Sequence, residues 1–242
     1  MILDFSRATT IWELLAGTLL GQQSQNCSFF SEHEKAYWLL PRFGLTPADE
    51  KNGAVDLRFD FAYEPKMLPN PDISYVEGLA RCSGVSYPTT MPLLMVPEGS
   101  CHAGKHIVLA YGAVHGDFVL PVPVWRAILR MARTYASKIY LVGTGERPDV
   151  ALMESECLVD ERLAAEKWNI VSEAALVIGP PNDWTWLATA WRKPIVVLYA
   201  DSQPMRKWFP FGHDKFGRML YNKDRLNVTQ MLADLRQLLA ML

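Results

Sequence analysis

The chain has 242 residues, half of them hydrophobic, enough to bury a sizeable core as one large domain or two small ones. Its formal net charge of -2 offers no global electrostatic case for nucleic acid or an acidic membrane surface as a partner, and leaves only a local patch open. Cys27, Cys82, Cys101 and Cys157 lack metal-ligand spacing and read as reduced thiols, while no leader and no apolar run of the roughly 18 residues that span a bilayer is evident, so a cytoplasmic protein without a transmembrane segment is expected.

In chain order, Ile2 to Phe5 reads as a strand, Thr9 to Gln22 as a helix, Asn26 to Phe30 as a strand and Glu32 to Phe43 as a helix. Val55, Leu57, Phe59 and Phe61 alternate with Asp56, Arg58 and Asp60, the period of a strand with one wet face. Pro65, Pro69 and Pro71 precede a helix from about Ile73 to Cys82. The stretch Pro88 to Lys105, with Pro92, Pro97, Gly99 and Gly104, has the composition of a linker. It divides the sequence into residues 1–103 and 104–242.

Beyond the linker the pattern becomes α/β. Ile107 to Val114 is an apolar strand. Pro123 opens a helix whose stripe is Val124, Trp125, Ile128, Leu129, Ala132 and Tyr135. Arg126, Arg130 and Arg133 take its other face, read as a solvated surface in preference to a contact with a phosphate-rich partner. Lys138 to Thr144 is the next strand, followed by helical stretches around Val150 to Cys157 and Glu161 to Ala174. Ala175 to Ile178 is a strand that breaks at Gly179-Pro180-Pro181-Asn182-Asp183, resumes as a helix from Trp184 to Trp191, and returns as the strand Ile195 to Tyr199. Trp184, Trp186 and Trp191 read as packing rather than as a stacking platform. The last helix starts at an Asn227 cap, with Val228, Met231, Leu232, Leu235, Leu238, Leu239 and Leu242 on one face. Strands alternating with helices in this way imply a parallel, doubly wound sheet. Such a sheet binds anionic ligands at its carboxyl edge, where the N-terminus of the helix from Trp184 presents N–H groups and a positive dipole end.

Ala175 to Gly212, with Gly179, Leu187, Ala188, Lys193 and Pro194 at matching places, resembles the nucleotide-sugar half of glycosyltransferase family 9, the ADP-heptose:lipopolysaccharide heptosyltransferases. The resemblance implies an α/β, GT-B-like fold of two Rossmann-like lobes with parallel sheets. It also implies a donor glutamate at Glu146, after Gly143-Thr144-Gly145. The family's loop glycine corresponds to Asp183, read here as the helix cap, and its helix histidine to Trp186. Ile2 to Arg7 followed by Leu14-Leu15-Ala16-Gly17 resembles a segment inside the family's N-terminal domain rather than its beginning. No counterpart of the first strand and of the Gly-Asp loop that supplies the base is found, which implies a truncated N-terminal lobe.

Site residues follow from both lines. His115 and Asp117 lie just after a strand, where a general base would sit. Gly179, Asn182 and Asp183 would hold the donor together with Glu146 and with Arg206 and Lys207, a cationic pair suited to a diphosphate leaving group. No metal cluster, Walker loop or Ser-His-Asp order is present in the sequence, so no cofactor is expected beyond a nucleoside-diphosphate sugar as substrate. The function expected is transfer of a sugar from that donor to a glycan, lipid-linked or protein acceptor, in lipopolysaccharide biosynthesis by the family resemblance. The alternative is a catalytically degenerate binding subunit or scaffold. A protein partner completing the N-terminal lobe and a peripheral place at the inner membrane are left open, and a further nucleotide-sugar enzyme such as an epimerase has no specific residues to recommend it.

Overall fold

The computed structural model describes residues 1–21, 27–48, 55–59, 61, 75–86, 106–112, 120–143, 157–159, 169–199, 218–222 and 227–240. The chain divides into two compact units, Met1–Pro97 with Pro204–Gly212, and Glu98–Gln203 with His213–Leu242.

The first unit carries β1 (Ile2–Asp4), α1 (Ile11–Gly21), β2 (Ser28–Phe30), α2 (Ala36–Leu39), β3 (Thr46–Pro47), β4 (Leu57–Arg58) and α3 (Tyr75–Cys82). The strands form a parallel sheet in the order β3-β2-β1-β4. α1 starts two residues later than the periodicity predicts because Thr10 and Glu13 build a capping box: the Glu13 N–H donates to Thr10 Oγ1 at 3.3 Å and the Thr10 N–H to Glu13 Oε2 at 3.0 Å. Glycine is required inside that helix, since a Cβ on Gly17 would lie 2.5 Å from Phe5 Cε1, and one on Gly21 would collide with Leu3. This close approach seats α1 on an aromatic core in which the Phe5 ring stands 5.2 Å from Phe59 and 6.1 Å from Phe61.

Two expectations for this unit are corrected. The long helix from Glu32 shrinks to α2 and a 3₁₀ turn, Leu40–Phe43. Before it, the His33 N–H donates to Ser31 Oγ and the Lys35 N–H to His33 Nδ1, a turn that competes with helix, and Pro41 has no N–H to continue the α pattern. The alternating segment from Val55 forms only the two-residue β4; its period survives in burial, with Phe59 and Phe61 inside and Arg58 outside. In the sheet, β1 pairs with β2 on one side and β4 on the other.

The second unit carries β5 (His106–Tyr111), α4 (Val122–Arg133), β6 (Lys138–Gly143), β7 (Cys157–Val159), α5 (Asn169–Ser172), β8 (Ala174–Gly179), α6 (Asp183–Ala190), β9 (Ile195–Tyr199), β10 (Arg218–Asn222) and α7 (Val228–Ala240). All its strands are parallel, in the order β10-β9-β8-β5-β6-β7. The β5-α4-β6 and β8-α6-β9 crossovers run in opposite directions along the sheet, so right-handed connections put α4 and α6 on opposite faces. On the α4 face, Ile107, Leu109, Ile139, Leu141, Leu176, Ile178, Val196 and Leu198 meet Trp125, Ile128, Leu129 and Ala132 of α4 and Met231, Leu235 and Leu238 of α7. The C-terminal stripe read from the sequence is thus the internal packing surface of α7, and the Gln230 N–H donates to the Asn227 cap at 3.1 Å.

Here too the sequence pattern misplaces some elements. Cys157, expected to close a helix, opens β7, and Ala174, expected in a helix, opens β8. Only Asn169–Ser172 of the stretch expected as a helix from Glu161 is helical among the described residues. Tyr135, counted in the apolar stripe of α4, is 43% exposed because the helix ends at Arg133. β10 follows a segment with no periodic signal and was not anticipated. α6 stops in a Schellman arrangement: the Arg192 N–H donates to Thr189 O and the Lys193 N–H to Ala188 O, both at 2.9 Å. Arg192 holds the left-handed conformation, φ 54°, that glycine more often supplies there.

Candidate functional site

The strand order of the second unit reverses between β5 and β8, which places the topological switch point, and the crevice that binds ligands in open α/β sheets, at their carboxyl ends. Three glycines line this edge. Gly112, after β5, has φ 77°, and Gly143, closing β6, has φ 151°. A Cβ on Gly179, closing β8, would lie 2.5 Å from Ala110 O. Glycine at the ends of β6 and β8 lets these strands lie close against β5, since a Cβ on Gly143 would collide with Tyr111 O as one on Gly179 would with Ala110 O.

Asn182 organises the edge. It is 3% exposed, and its amide is used on both sides. Nδ2 donates to Gly112 O at 2.9 Å and to Tyr111 O at 3.3 Å, tying the end of β5 to the start of α6. Oδ1 accepts the N–H groups of Trp184 and Thr185, both at 3.0 Å. Thr185 Oγ1 in turn accepts the Asn182 N–H at 3.0 Å, closing a capping box. Asn182, not Asp183, is therefore the helix cap; Asp183 is the first helical residue, half-buried at the positive end of the dipole.

This geometry corrects the reading of the helix start as a cradle of available amides. The N–H groups of Asn182, Trp184 and Thr185 are all taken within the box. What α6 offers an anion is its axial field, with a carboxylate standing in it.

Of the residues singled out from the sequence, Gly179, Asn182 and Asp183 come together at this edge. Gly179 acts there by admitting a close strand contact and Asn182 by capping and tying. His115, Asp117, Glu146, Arg206 and Lys207 lie outside the described residues. Trp184, Trp186 and Trp191 are all buried, in keeping with a packing role.

A second polar cluster, which sequence reasoning missed, occupies the switch point of the first unit between β1 and β4. Asp4, 2% exposed, accepts the Ser6 N–H at 2.8 Å through Oδ1 and Arg58 Nε at 2.6 Å through Oδ2. Burial alone would raise the Asp4 carboxyl, but the hydrogen bonds from Ser6 and Arg58 together outweigh it and hold it below its ordinary value. Arg58 remains 62% exposed. Nearby, Glu13 Oε2 accepts the Thr9 N–H at 2.6 Å and the Thr9 hydroxyl at 3.1 Å in addition to the Thr10 N–H. His33 Nδ1 accepts the Lys35 N–H, so Nε2 carries the proton and donates to Thr9 O at 3.2 Å. Burial lowers the His33 pKa, and Lys35 adds to that effect. The available signal was a single Asp in an apolar strand paired with the lone Arg of the alternating segment, 54 residues apart in sequence, a separation no local pattern bridges.

No protein-family model matches the sequence, and no curated protein matches it at a significant level. Solved structures do match. The E. coli ADP-heptose LPS heptosyltransferase II has a TM-score of 0.65 at 14% identity, with 99% of this chain and 98% of that chain covered. A glycosyl transferase family 9 structure from Veillonella parvula gives 0.63 at 11%, covering 100% and 97%. The E. coli heptosyltransferase WaaC with ADP gives 0.59 at 14%, covering 100% of both. The fold is therefore that of the GT-B glycosyltransferases, two α/β units with parallel sheets, and it is heptosyltransferase-like. Among the described residues no helix is long and apolar enough to cross a membrane.

Proposed function

We propose that the protein is a metal-independent glycosyltransferase-like protein that binds a nucleoside-diphosphate sugar at the carboxyl edge of its second sheet. The observation that carries this reading is the β5/β8 switch point at the carboxyl edge of the parallel sheet, where Asn182 ties the end of β5 to the start of α6. The likeness to a heptosyltransferase solved with ADP supports an adenine nucleotide as the first ligand to test. In this reading Glu146 holds the nucleoside, Arg206 and Lys207 neutralise the diphosphate, and His115 or Asp117 accepts the acceptor's proton. The acceptor is a bacterial surface glycan, lipid-linked or on a protein.

A second reading, a binding subunit that has lost transfer, is favoured by one specific observation. The capping box consumes the amides of the α6 start, and Asp183 adds a negative charge where a diphosphate would lie. Thermal shift with ADP-, GDP- and UDP-sugars tests the first reading, because a ligand at a hundred times its Kd stabilises by about 2.7 kcal/mol. A shift with one nucleotide together with sugar release supports the enzyme. A shift without turnover supports the degenerate form, and no shift at millimolar concentration removes nucleotide binding altogether.

A further inference from the structure

We propose that the outer face of α4 is a docking surface for an anionic phospholipid bilayer. α4 buries Trp125, Ile128, Leu129 and Ala132 against the sheet and turns Arg126, Arg130 and Arg133 to solvent. Residues four and seven apart share one helix face, so the three guanidinium groups form one row along about 10 Å of axis.

Three features separate this row from an ordinary solvated face. No acidic residue occurs anywhere in α4, so none of the i, i+4 pairs that commonly neutralise a surface helix can form. None of the three arginines makes an ion pair or side-chain hydrogen bond with another described residue. α7, packed beside α4 on the same face of the sheet, adds the exposed Arg236, while its one acid, Asp234, accepts the Gln230 amide at 2.7 Å. The two helices together thus present four arginines and one engaged carboxylate. Tyr135, 43% exposed just past the end of α4, supplies an amphipathic aromatic of the kind that settles at headgroup depth.

A row of arginines on a helix lying along the surface addresses a plane of phosphates, and arginine engages phosphate oxygens bidentately. The net charge of -2 confines the attraction to this face and makes it short-ranged, with a Debye length of about 8 Å at physiological salt. The inference rests on the proposed function only for a reason to be at a membrane, where a lipid-linked acceptor resides; the surface itself is independent of the donor site.

The test is sedimentation of the full chain with vesicles, without nucleotide or acceptor, so that failure of the donor reading does not affect it. Vesicles containing phosphatidylserine should carry the protein down at low salt, and neutral phosphatidylcholine vesicles should not. The Arg126→Gln/Arg130→Gln/Arg133→Gln variant should lower the partition coefficient about a hundredfold, roughly fivefold per residue, the ratio equivalent to about 1 kcal/mol per surface arginine. The corresponding triple Lys variant should retain most of the binding. If the Gln variant melts early, Arg130→Gln alone should still show the fivefold step. Equal binding of wild type and Gln variants would overturn the proposal, as would no sedimentation, equal binding to neutral vesicles, or preference for duplex nucleic acid at the same salt.

Discussion

The two units solve one problem with different chemistry. Each has a parallel sheet whose strand order reverses beside its first strand, and each must fasten the two strand ends that flank the switch point. In the first unit the fastening is ionic: Asp4 at the end of β1 receives Arg58 from β4. In the second it is neutral: the Asn182 amide receives two N–H groups of α6 and gives two to the end of β5. An ionic tie with one exposed partner is pH- and salt-sensitive. A buried amide satisfied on every side is insensitive to both, and rigid.

Breaking the neutral tie should have the largest effect. Asn182→Asp keeps an acceptor for Trp184 and Thr185 but turns a carboxylate oxygen toward the carbonyls of Tyr111 and Gly112. Two hydrogen bonds become repulsions in a buried place, and a loss of about 3 kcal/mol is expected. Hydrogen exchange should speed up in β5 and α6 while β1 and β2 keep their protection. Unchanged exchange in β5 would show that the tie carries no stability. Gly179→Ala, which places a methyl against Ala110 O, should follow at about 1 to 3 kcal/mol.

The ionic tie should cost less to remove. Asp4→Asn forfeits a charge-assisted pair whose arginine is mostly in water, so about 1 kcal/mol is expected. Because the folded Asp4 pKa lies below its unfolded value, the native state binds fewer protons in that range. Its contribution is present above the unfolded value of about 4 and is lost as pH falls through the folded one. Wild type should therefore lose stability below about pH 4 more steeply than Asp4→Asn in urea melts of the first unit. Parallel curves for the two proteins would exclude this pair as the source.

Two histidines extend the comparison near neutrality. His106, at the start of β5, donates from Nε2 to Ile170 O at 2.7 Å and stacks edge-on against Tyr140. Burial lowers its pKa, Lys138 and Lys193 push the same way, and Glu173 opposes them. His33 in the first unit is also lowered, chiefly by burial. With folded values below the ordinary 6.5, the unfolded chain binds more protons, and stability falls as pH drops from about 7 through 6.5 toward the folded values. His106→Gln should flatten that decline in the second unit and leave it in the first, and His33→Gln should do the reverse, read by exchange at pH 7 and pH 5. A decline unaffected by either substitution would place the titrating group elsewhere.

The long apolar strands β5, β6, β8 and β9 and the helices α4, α6 and α7 were legible because each is an uninterrupted periodic run whose burial alone selects its structure. The first unit was harder. β3 and β4 are two residues each, and their places are set by pairing with distant strands rather than by local period. At the candidate site the sequence pointed to Asp183 as the cap, and the structure gives that role to Asn182. Asn and Asp are equally good caps by propensity, and the choice fell to Asn182 because only an amide can also donate to Tyr111 O and Gly112 O.

That choice leaves Asp183 as the smallest and most informative target. Standing first in α6 and half-exposed, its carboxylate lies in the favourable field at the positive end of the helix. Asp183→Asn should therefore cost a few tenths of a kcal/mol, visible as a slight drop in melting temperature. Its effect on ligand affinity separates the two functional readings more sharply. A nucleoside diphosphate seated on the α6 axis would have its phosphates near this charge. Since two unit charges at about 4 Å interact by roughly 4 kcal/mol at intermediate dielectric, removing it should tighten binding by a measurable factor even after solvent screening. If instead the phosphates are held by side chains away from the α6 start, calorimetry should give the same Kd for wild type and Asp183→Asn. A gain in affinity without a gain in turnover would mark the wild-type edge as a donor site closed by its own carboxylate. Tight binding and turnover already present in wild type, unchanged in the variant, would mean that Asp183 points away and that transfer survives in this chain.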